Sequence, residues 1–299
     1  MKPYLANAAK TKEILERHGF YTKKGYGQNF LIDPRIPEGI ADAAGLTKAD
    51  TVFEIGPGIG TLTQYLAERA GRVVALELDR KLEPVLKETL SGWDNVTLLW
   101  GDVMKQDLPR LFGENGVSGP VKVAANLPYY ITTPILMRLF EYPELFSKLT
   151  LMVQKEVGER MAAVPGGKDY GTLSLSVQYY ADPEAVLAVP PSAFLPQPKV
   201  SSVVMRLSKR KKPRPECRDE AYLFAVIKAA FLQRRKTLSN ALSAAPQLGT
   251  DRETVTAALT EMGLDPMIRG ERLSLEQFAG LSDRLWEAGH GSASGQEKT

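Results

Sequence analysis

The chain has 299 residues, 43% of them hydrophobic, with 38 basic and 35 acidic side chains and a formal net charge of +3; this suffices for one large core, or a large and a small domain, and excludes a polycation. The one cysteine, Cys217, excludes an internal disulfide, and with only His18 and His290 to join it a zinc site of the finger or deaminase kind is excluded too, so no metal is expected. No apolar run approaches a membrane span and the first residues lack the apolar stretch of a signal peptide, so a cytoplasmic protein without membrane attachment, monomeric by default, is expected.

In chain order, residues 5–17 read as a short helix ended by Gly19, 23–33 as a polar, glycine-bearing loop, and 34–44 as a helix introduced by Asp33 with Pro34 in its first turn. Apolar runs at 51–55, 72–78, 96–100, 121–126, 149–154, 185–189 and 201–207 predict strands, with helical patterns between most of them. That alternation predicts an α/β fold with a largely parallel sheet covered on both faces. Only the Pro-rich stretch 190–199 separates the last two strands, which leaves no room for a crossover helix and predicts antiparallel pairing. Residues 173–181 fit a strand through the alternation of Leu173, Leu175, Val177 and Tyr179, and equally a helix through Leu173, Val177, Tyr180 and Ala181. Residues 211–220 carry two prolines and seven charges and read as a linker. Helical patterns follow at 221–233, 236–244, 252–262 and 275–288, with Gly263 and Gly289 at expected helix ends. The division expected is an α/β domain over 1–210, the linker, a helical domain over 221–289, and a disordered tail over 290–299.

Chemistry concentrates where predicted strands end. Gly56-Pro57-Gly58-Ile59-Gly60 follows the first long strand and opens a helix, so the turn can bend tightly and a ligand can approach its backbone. Glu77 ends the next strand, 21 residues after Gly56 (77 minus 56), where an acid accepts from ribose hydroxyls. Asp102, with Val103 behind it, follows the third, where a carboxylate can accept from an adenine amino group. Singly, Glu77 or Asp102 reads equally well as a helix cap or a surface charge; in register after successive strands they describe a pocket for an adenosine-containing cofactor. Glu54, just before the glycines, would repel a pyrophosphate but suits a sulfonium or an amino group, which favours S-adenosyl-L-methionine over a nicotinamide dinucleotide.

Asn126-Leu127-Pro128-Tyr129 closes the fourth strand. The Asn126 side-chain oxygen and the Leu127 carbonyl can hold the two hydrogens of a planar amine, Pro128 fixes the turn, and Tyr129 offers a stacking face. Phe194, in a loop between two prolines and read as exposed, is a second stacking candidate against the alternative of core packing. Arg206, Lys209, Arg210, Lys211, Lys212 and Arg214 form a run with no acid between them, followed by Lys228, Arg234, Arg235 and Lys236. Alone this is a solvated linker; beside a base-modifying site it becomes a phosphate-contact surface.

With these residues in place the chain resembles the ribosomal RNA adenine dimethyltransferase family over nearly its whole length, and within it the branch acting on small-subunit rRNA. Gly27-Gln28-Asn29-Phe30-Leu31 matches the family's N-terminal motif, Glu54 to Gly58 its glycine loop, Glu77 its ribose acid, Asp102 its adenine partner, Asn126 to Tyr129 its catalytic corner and Phe194 to Val200 its target-base loop. The resemblance implies a class I S-adenosylmethionine-dependent methyltransferase fold, Rossmann-like with a seven-stranded mostly parallel sheet and a small all-helical C-terminal domain. It implies cofactor contacts from Gln28, Asn29, Leu31, Glu54, Gly56, Gly58, Glu77, Asp102, Val103 and Asn126. It makes the 170–174 segment helical and gives the stretch around Arg234, Arg235 and Lys236 a ribosome contact. Its implied substrate is two adjacent adenines near the 3′ end of small-subunit rRNA in an assembling particle. The rivals are a large-subunit dimethyltransferase, disfavoured by Gly27 before Gln28 and by the full helical domain; a DNA adenine methyltransferase, disfavoured by Asn126 where an acid is usual; and an RNA-binding assembly factor that has lost the reaction, disfavoured by intact Glu77, Asp102 and Asn126.

Overall fold

The computed structural model describes residues 4–20, 29–211 and 215–290. Gln28, Lys212, Arg214 and residues 291–299 of the expected tail lie outside them. Nine strands are present: β1 (Phe30–Leu31), β2 (Thr51–Ile55), β3 (Arg72–Glu77), β4 (Val96–Trp100), β5 (Val121–Asn126), β6 (Phe146–Gln154), β7 (Ala181–Val189), β8 (Phe194–Leu195) and β9 (Ser202–Lys209) among the described residues. The α-helices there are α1 (Ala8–Arg17), α2 (Arg35–Ala44), α3 (Thr61–Arg69), α4 (Glu83–Thr89), α5 (Leu108–Glu114), α6 (Thr132–Phe140), α7 (Lys155–Met161), α8 (Thr172–Tyr180), α9 (Glu220–Leu232), α10 (Leu238–Ser243), α11 (Arg252–Glu261) and α12 (Leu275–His290).

The chain divides into two units, Met1–Gly158 with Asp182–Lys209, and Glu159–Ala181 with Arg210–Thr299. The first holds a seven-stranded sheet of order β4-β3-β2-β5-β6-β9-β7. β4, β3, β2, β5 and β6 pair in parallel and β9 runs antiparallel to β6. β2 and β3 are buried almost throughout, as strands covered on both faces must be. The chain runs outward from β2 through β3 to β4 and then crosses to β5 on the other side of β2, which opens a crevice at the carboxyl ends of these strands. Register aligns those ends: Ile55 lies opposite Leu76, Glu77 opposite Trp100 and Asn126 opposite Met152.

Sequence patterns foresaw all seven strands of this sheet but neither β1 nor β8. Each is two residues long, and Phe30 pairs with Leu195 and Leu31 with Phe194 across more than 160 positions, a contact no local period signals. The 173–181 segment is helical. Leu173, Ser174, Leu175, Ser176, Val177 and Tyr179 of α8 are all buried, and burial on nearly every side explains why its period is ambiguous. The unit boundaries also differ from those read in the sequence. Glu159–Ala181, placed there in the α/β domain, belongs to the second unit. Tyr170, Leu175 and Tyr179 share a core with Leu223, Val226 and Phe278, and the Tyr170 hydroxyl donates to the Leu273 carbonyl (2.9 Å). Gly289, expected to end a helix, lies inside α12.

Two glycines separate a steric requirement from a propensity. A Cβ on Gly71, which leads into β3, would lie 2.2 Å from the Lys48 carbonyl oxygen, whereas one on Gly113 in α5 would meet nothing within 4 Å. Gly71→Ala should therefore destabilise the protein by about 1–3 kcal/mol, and Gly113→Ala should stabilise it by about 0.5–1 kcal/mol. Urea denaturation checks both signs.

Candidate active site

A cleft opens at the carboxyl edge of β2, β3 and β5. Gly56, Gly58 and Gly60 adopt φ of 70°, 60° and 88° in the turn after β2, a region costly for any side chain. A Cβ on Gly56 would meet no atom within 4 Å, and at Gly58 the Phe30 ring lies 3.7 Å from the Cβ position. The turn is tied to β3: the Gly58 N–H donates to Glu77 Oε2 (3.0 Å) and the Asp79 N–H to Glu77 Oε1 (2.9 Å). Burial raises the Glu77 pKa and these backbone donors oppose the rise.

Glu54 is 1% exposed, yet its Oε2 has no hydrogen-bond partner among the described residues, and neither has the buried Thr61 Oγ1. Both residues line the cleft. Burial pushes the Glu54 carboxyl up to about 8, the nearby Thr63 hydroxyl opposes the shift, and the Glu77 charge adds to it. An unsatisfied acid of this kind is costly to keep without a ligand.

The opposite wall is the Asn-Leu-Pro-Tyr corner. Asn126 ends β5, and its Nδ2 donates to the Asn29 carbonyl (3.4 Å), so Oδ1 is the atom left to accept. The Leu127 N–H donates to the Met152 carbonyl (3.2 Å), and the Pro128 carbonyl accepts from the Ile131 N–H (3.2 Å) and Thr132 Oγ1 (3.1 Å), which rigidifies the turn. The Tyr129 hydroxyl is paired with Ser202 Oγ (2.7 Å), fixing its ring, and burial raises its pKa.

Asn29, Leu31, Glu54, Gly56, Gly58, Glu77, Asn126, Leu127, Pro128, Tyr129 and Phe194 all line this one cleft. Phe194 is not the exposed loop aromatic expected: it is 2% exposed, because the β1–β8 pairing draws it into the core while leaving it on the cleft wall. Asp102 and Val103 do not line the cleft. Asp102 Oδ1 accepts from the Met104 N–H (3.0 Å), bracing the turn that follows β4, and Val103 is buried.

The basic residues separate into two groups. Arg206 pairs with Glu184 (2.5 Å), Arg210 donates to the Gln178 carbonyl, and Arg234 reaches the Lys168 and Tyr170 carbonyls (3.1 Å each) and Glu271 (3.3 Å). Each of these three arginines bonds a partner within its own unit through part of its guanidinium, and Arg234 remains exposed. Lys209 is half-buried, and Lys211, Arg235 and Lys236 are exposed.

The family model for ribosomal RNA adenine dimethylase matches residues 19–285. The chain belongs to the ribosomal RNA adenine dimethylase family. Family relatives named ribosomal RNA small subunit methyltransferase A are 50% identical in Lachnoclostridium phytofermentans (95% of this chain, 98% of the relative) and 49% identical in Bacillus mycoides (94% and 97%). Among solved structures, a dimethyladenosine transferase from Plasmodium falciparum superposes with a TM-score of 0.69 at 26% identity (84% of this chain, 95% of that one). The 23S rRNA methyltransferase ErmE does so with 0.65 at 29% identity (86% and 99%). The fold is that of class I methyltransferases and the cofactor is S-adenosyl-L-methionine.

The cleft fits that cofactor of the dimethylase family on its own features. Orphaned Glu54 Oε2 and Thr61 Oγ1 provide polar atoms that await a partner, and Gly56 leaves its approach open. Phe30 and Thr61 were not singled out in the sequence as site residues. Thr61 directly follows Gly60, but only burial reveals its unpartnered hydroxyl.

Glu54 generates a pH-dependent expectation. In the folded, cofactor-free protein it holds its proton up to about 8, against 4.5 for the ordinary carboxyl. Between those values the folded state binds more protons than the unfolded one, so this group's contribution to stability falls as pH rises. In thermal unfolding, the melting temperature of Glu54→Gln relative to wild type should climb from pH 5 to about 8 and then level off. A constant difference would contradict a buried neutral carboxyl.

Proposed function

We propose that this chain transfers methyl groups from S-adenosyl-L-methionine to N6 of two adjacent adenines near the 3′ end of small-subunit rRNA, giving N6,N6-dimethyladenosine. The partner is small-subunit rRNA in an assembling particle, the compartment the cytoplasm, and the protein acts as a monomer. The observation that carries the reading is Asn126, its amide nitrogen tied to the Asn29 carbonyl so that Oδ1 is left as an acceptor beside the fixed Tyr129 ring.

The cofactor supplies an electrophilic methyl group on a positively charged sulfur. Glu54 and Thr61 would hold its amino-acid end, Glu77 its ribose, and the glycine turn its approach; Asp102 is proposed for the adenine. The nucleophile is poor, because the N6 lone pair of adenine is delocalised into the ring. Asn126 Oδ1 and the Leu127 carbonyl would accept the two N6 hydrogens, bend the nitrogen out of the ring plane and aim its lone pair. Tyr129, with Phe194 lining the same cleft, would grip the base after it leaves its stack. No strong general base is needed, since nitrogen becomes acidic as it is alkylated and its proton passes to water. Catalysis rests on positioning and preorganised acceptors. The small-subunit substrate is supported by the names of the 50% and 49% identical relatives.

The reading is tested by methyl transfer to small and large subunits from a strain lacking the modification. N6,N6-dimethyladenosine in small-subunit RNA alone is expected; label in large-subunit RNA would contradict it. Asn126→Ala should lower the transfer rate by about 10²–10³-fold while changing S-adenosylhomocysteine affinity less than about fivefold. Normal turnover would sink the mechanism. For RNA contact, the double variant Arg235→Ala with Lys236→Ala should reduce the slope of log affinity against log salt by about 1.5. An unchanged slope would remove both residues from the phosphate contacts.

A further inference from the structure

Behind the glycine turn runs a chain of hydrogen bonds that none of the proposed contacts uses. Gln64, 2% exposed, lies one turn into α3. Its Oε1 accepts from the Leu5 N–H (2.9 Å), and its Nε2 donates to the Thr89 carbonyl (2.9 Å). Thr89 Oγ1 in turn donates to the Ile59 carbonyl (2.9 Å), inside the glycine turn on the cleft wall. The Leu5 carbonyl accepts from the buried Thr11 Oγ1 (3.0 Å), which fastens the segment before α1 to that helix.

Two physical points distinguish this chain from ordinary packing. A helical threonine commonly bonds the carbonyl four residues back in its own helix; Thr89, the last residue of α4, crosses to the turn instead. The turn also carries three glycines at positive φ and so has little conformational stiffness of its own. Beside Gly60, Leu90 Cδ2 lies 3.0 Å and Thr89 Oγ1 3.2 Å from where a Cβ would lie, so Thr89 both bonds and packs against the turn, and a variant of the same shape is needed to separate the two roles.

We infer that Thr89, aided by Gln64, is a positioning residue for the cofactor: it holds the Ile59 carbonyl and so presets the glycine turn in its binding conformation. This rests on the cleft being the S-adenosylmethionine site. Binding to a turn that must first be ordered costs affinity, and a preset turn avoids that cost.

Calorimetric titration with S-adenosylhomocysteine, paired with thermal melting, tests it. Thr89→Val keeps shape and loses the donor; its Kd should rise about tenfold, with the KM for the methyl donor raised more than kcat is lowered. Thr89→Ser restores the hydroxyl and should return Kd to within about twofold of wild type. If Thr89→Val does not fold, Thr89→Ala, which loses the same donor without setting a methyl against the Ile59 carbonyl, should raise Kd about tenfold. A lowered melting temperature with unchanged Kd in these variants would overturn the inference and leave the cofactor site intact. Failure of the wild-type protein to bind S-adenosylhomocysteine would instead remove the site reading and the inference with it.

Discussion

The parallel register of β3, β2 and β5 is the constraint on which the rest of the first unit depends. Pairing Ile55 with Leu76 carries Glu77 just past the end of β2, where the Gly58 N–H can reach its carboxylate at 3.0 Å. A slip of one residue would turn Glu77 to the other face of the sheet, since side chains alternate with a period of two. The same register levels Glu54 with Ala124, so the chain leaving β5 brings Asn126 to the same edge as the glycine turn. The cleft is a consequence of strand alignment, and the loops complete it.

The charges in the cleft are held in unequal states. Glu77 is buried but accepts two backbone N–H groups, so ionisation is partly supported. Glu54 has an oxygen without a partner and a strongly raised pKa. A cationic ligand group supplies what Glu54 lacks, which is why the two acids suit a sulfonium-bearing, amino-acid-bearing cofactor better than a pyrophosphate. The acceptor at the reaction corner is a neutral amide. In the proposed mechanism Asn126 would accept hydrogen bonds without adding another carboxylate beside a donor whose positive charge vanishes during transfer.

Much of this was legible in the sequence because it is local. Buried parallel strands are short apolar runs, and the residues that follow them, Gly56, Glu77 and Asn126, sit where a parallel sheet must gather them. What was not legible depends on distant partners. The β1–β8 pair joins Phe30 to Leu195, so Phe194 reads as a loop aromatic although it is core. Arg206, Arg210 and Arg234 read as part of a basic run, and the partners they bond, Glu184, the Gln178 carbonyl and the Tyr170 carbonyl, lie tens of residues away in sequence. The 159–181 segment joins the second unit through Tyr170 and Leu175, whose partners begin some 50 residues later at Leu223. The unpartnered hydroxyl of Thr61 is invisible without burial.

The central claim is that the cleft between the glycine turn, Glu77 and Asn126 holds the methyl donor with its reactive end toward the Asn-Leu-Pro-Tyr corner. A crystal structure with S-adenosylhomocysteine tests it most directly. The ribose hydroxyls are expected on Glu77, the amino-acid end against Glu54 and Thr61, and the sulfur facing Asn126 Oδ1. A ligand bound with its ribose away from Glu77, or with its sulfur turned from Asn126, would contradict it.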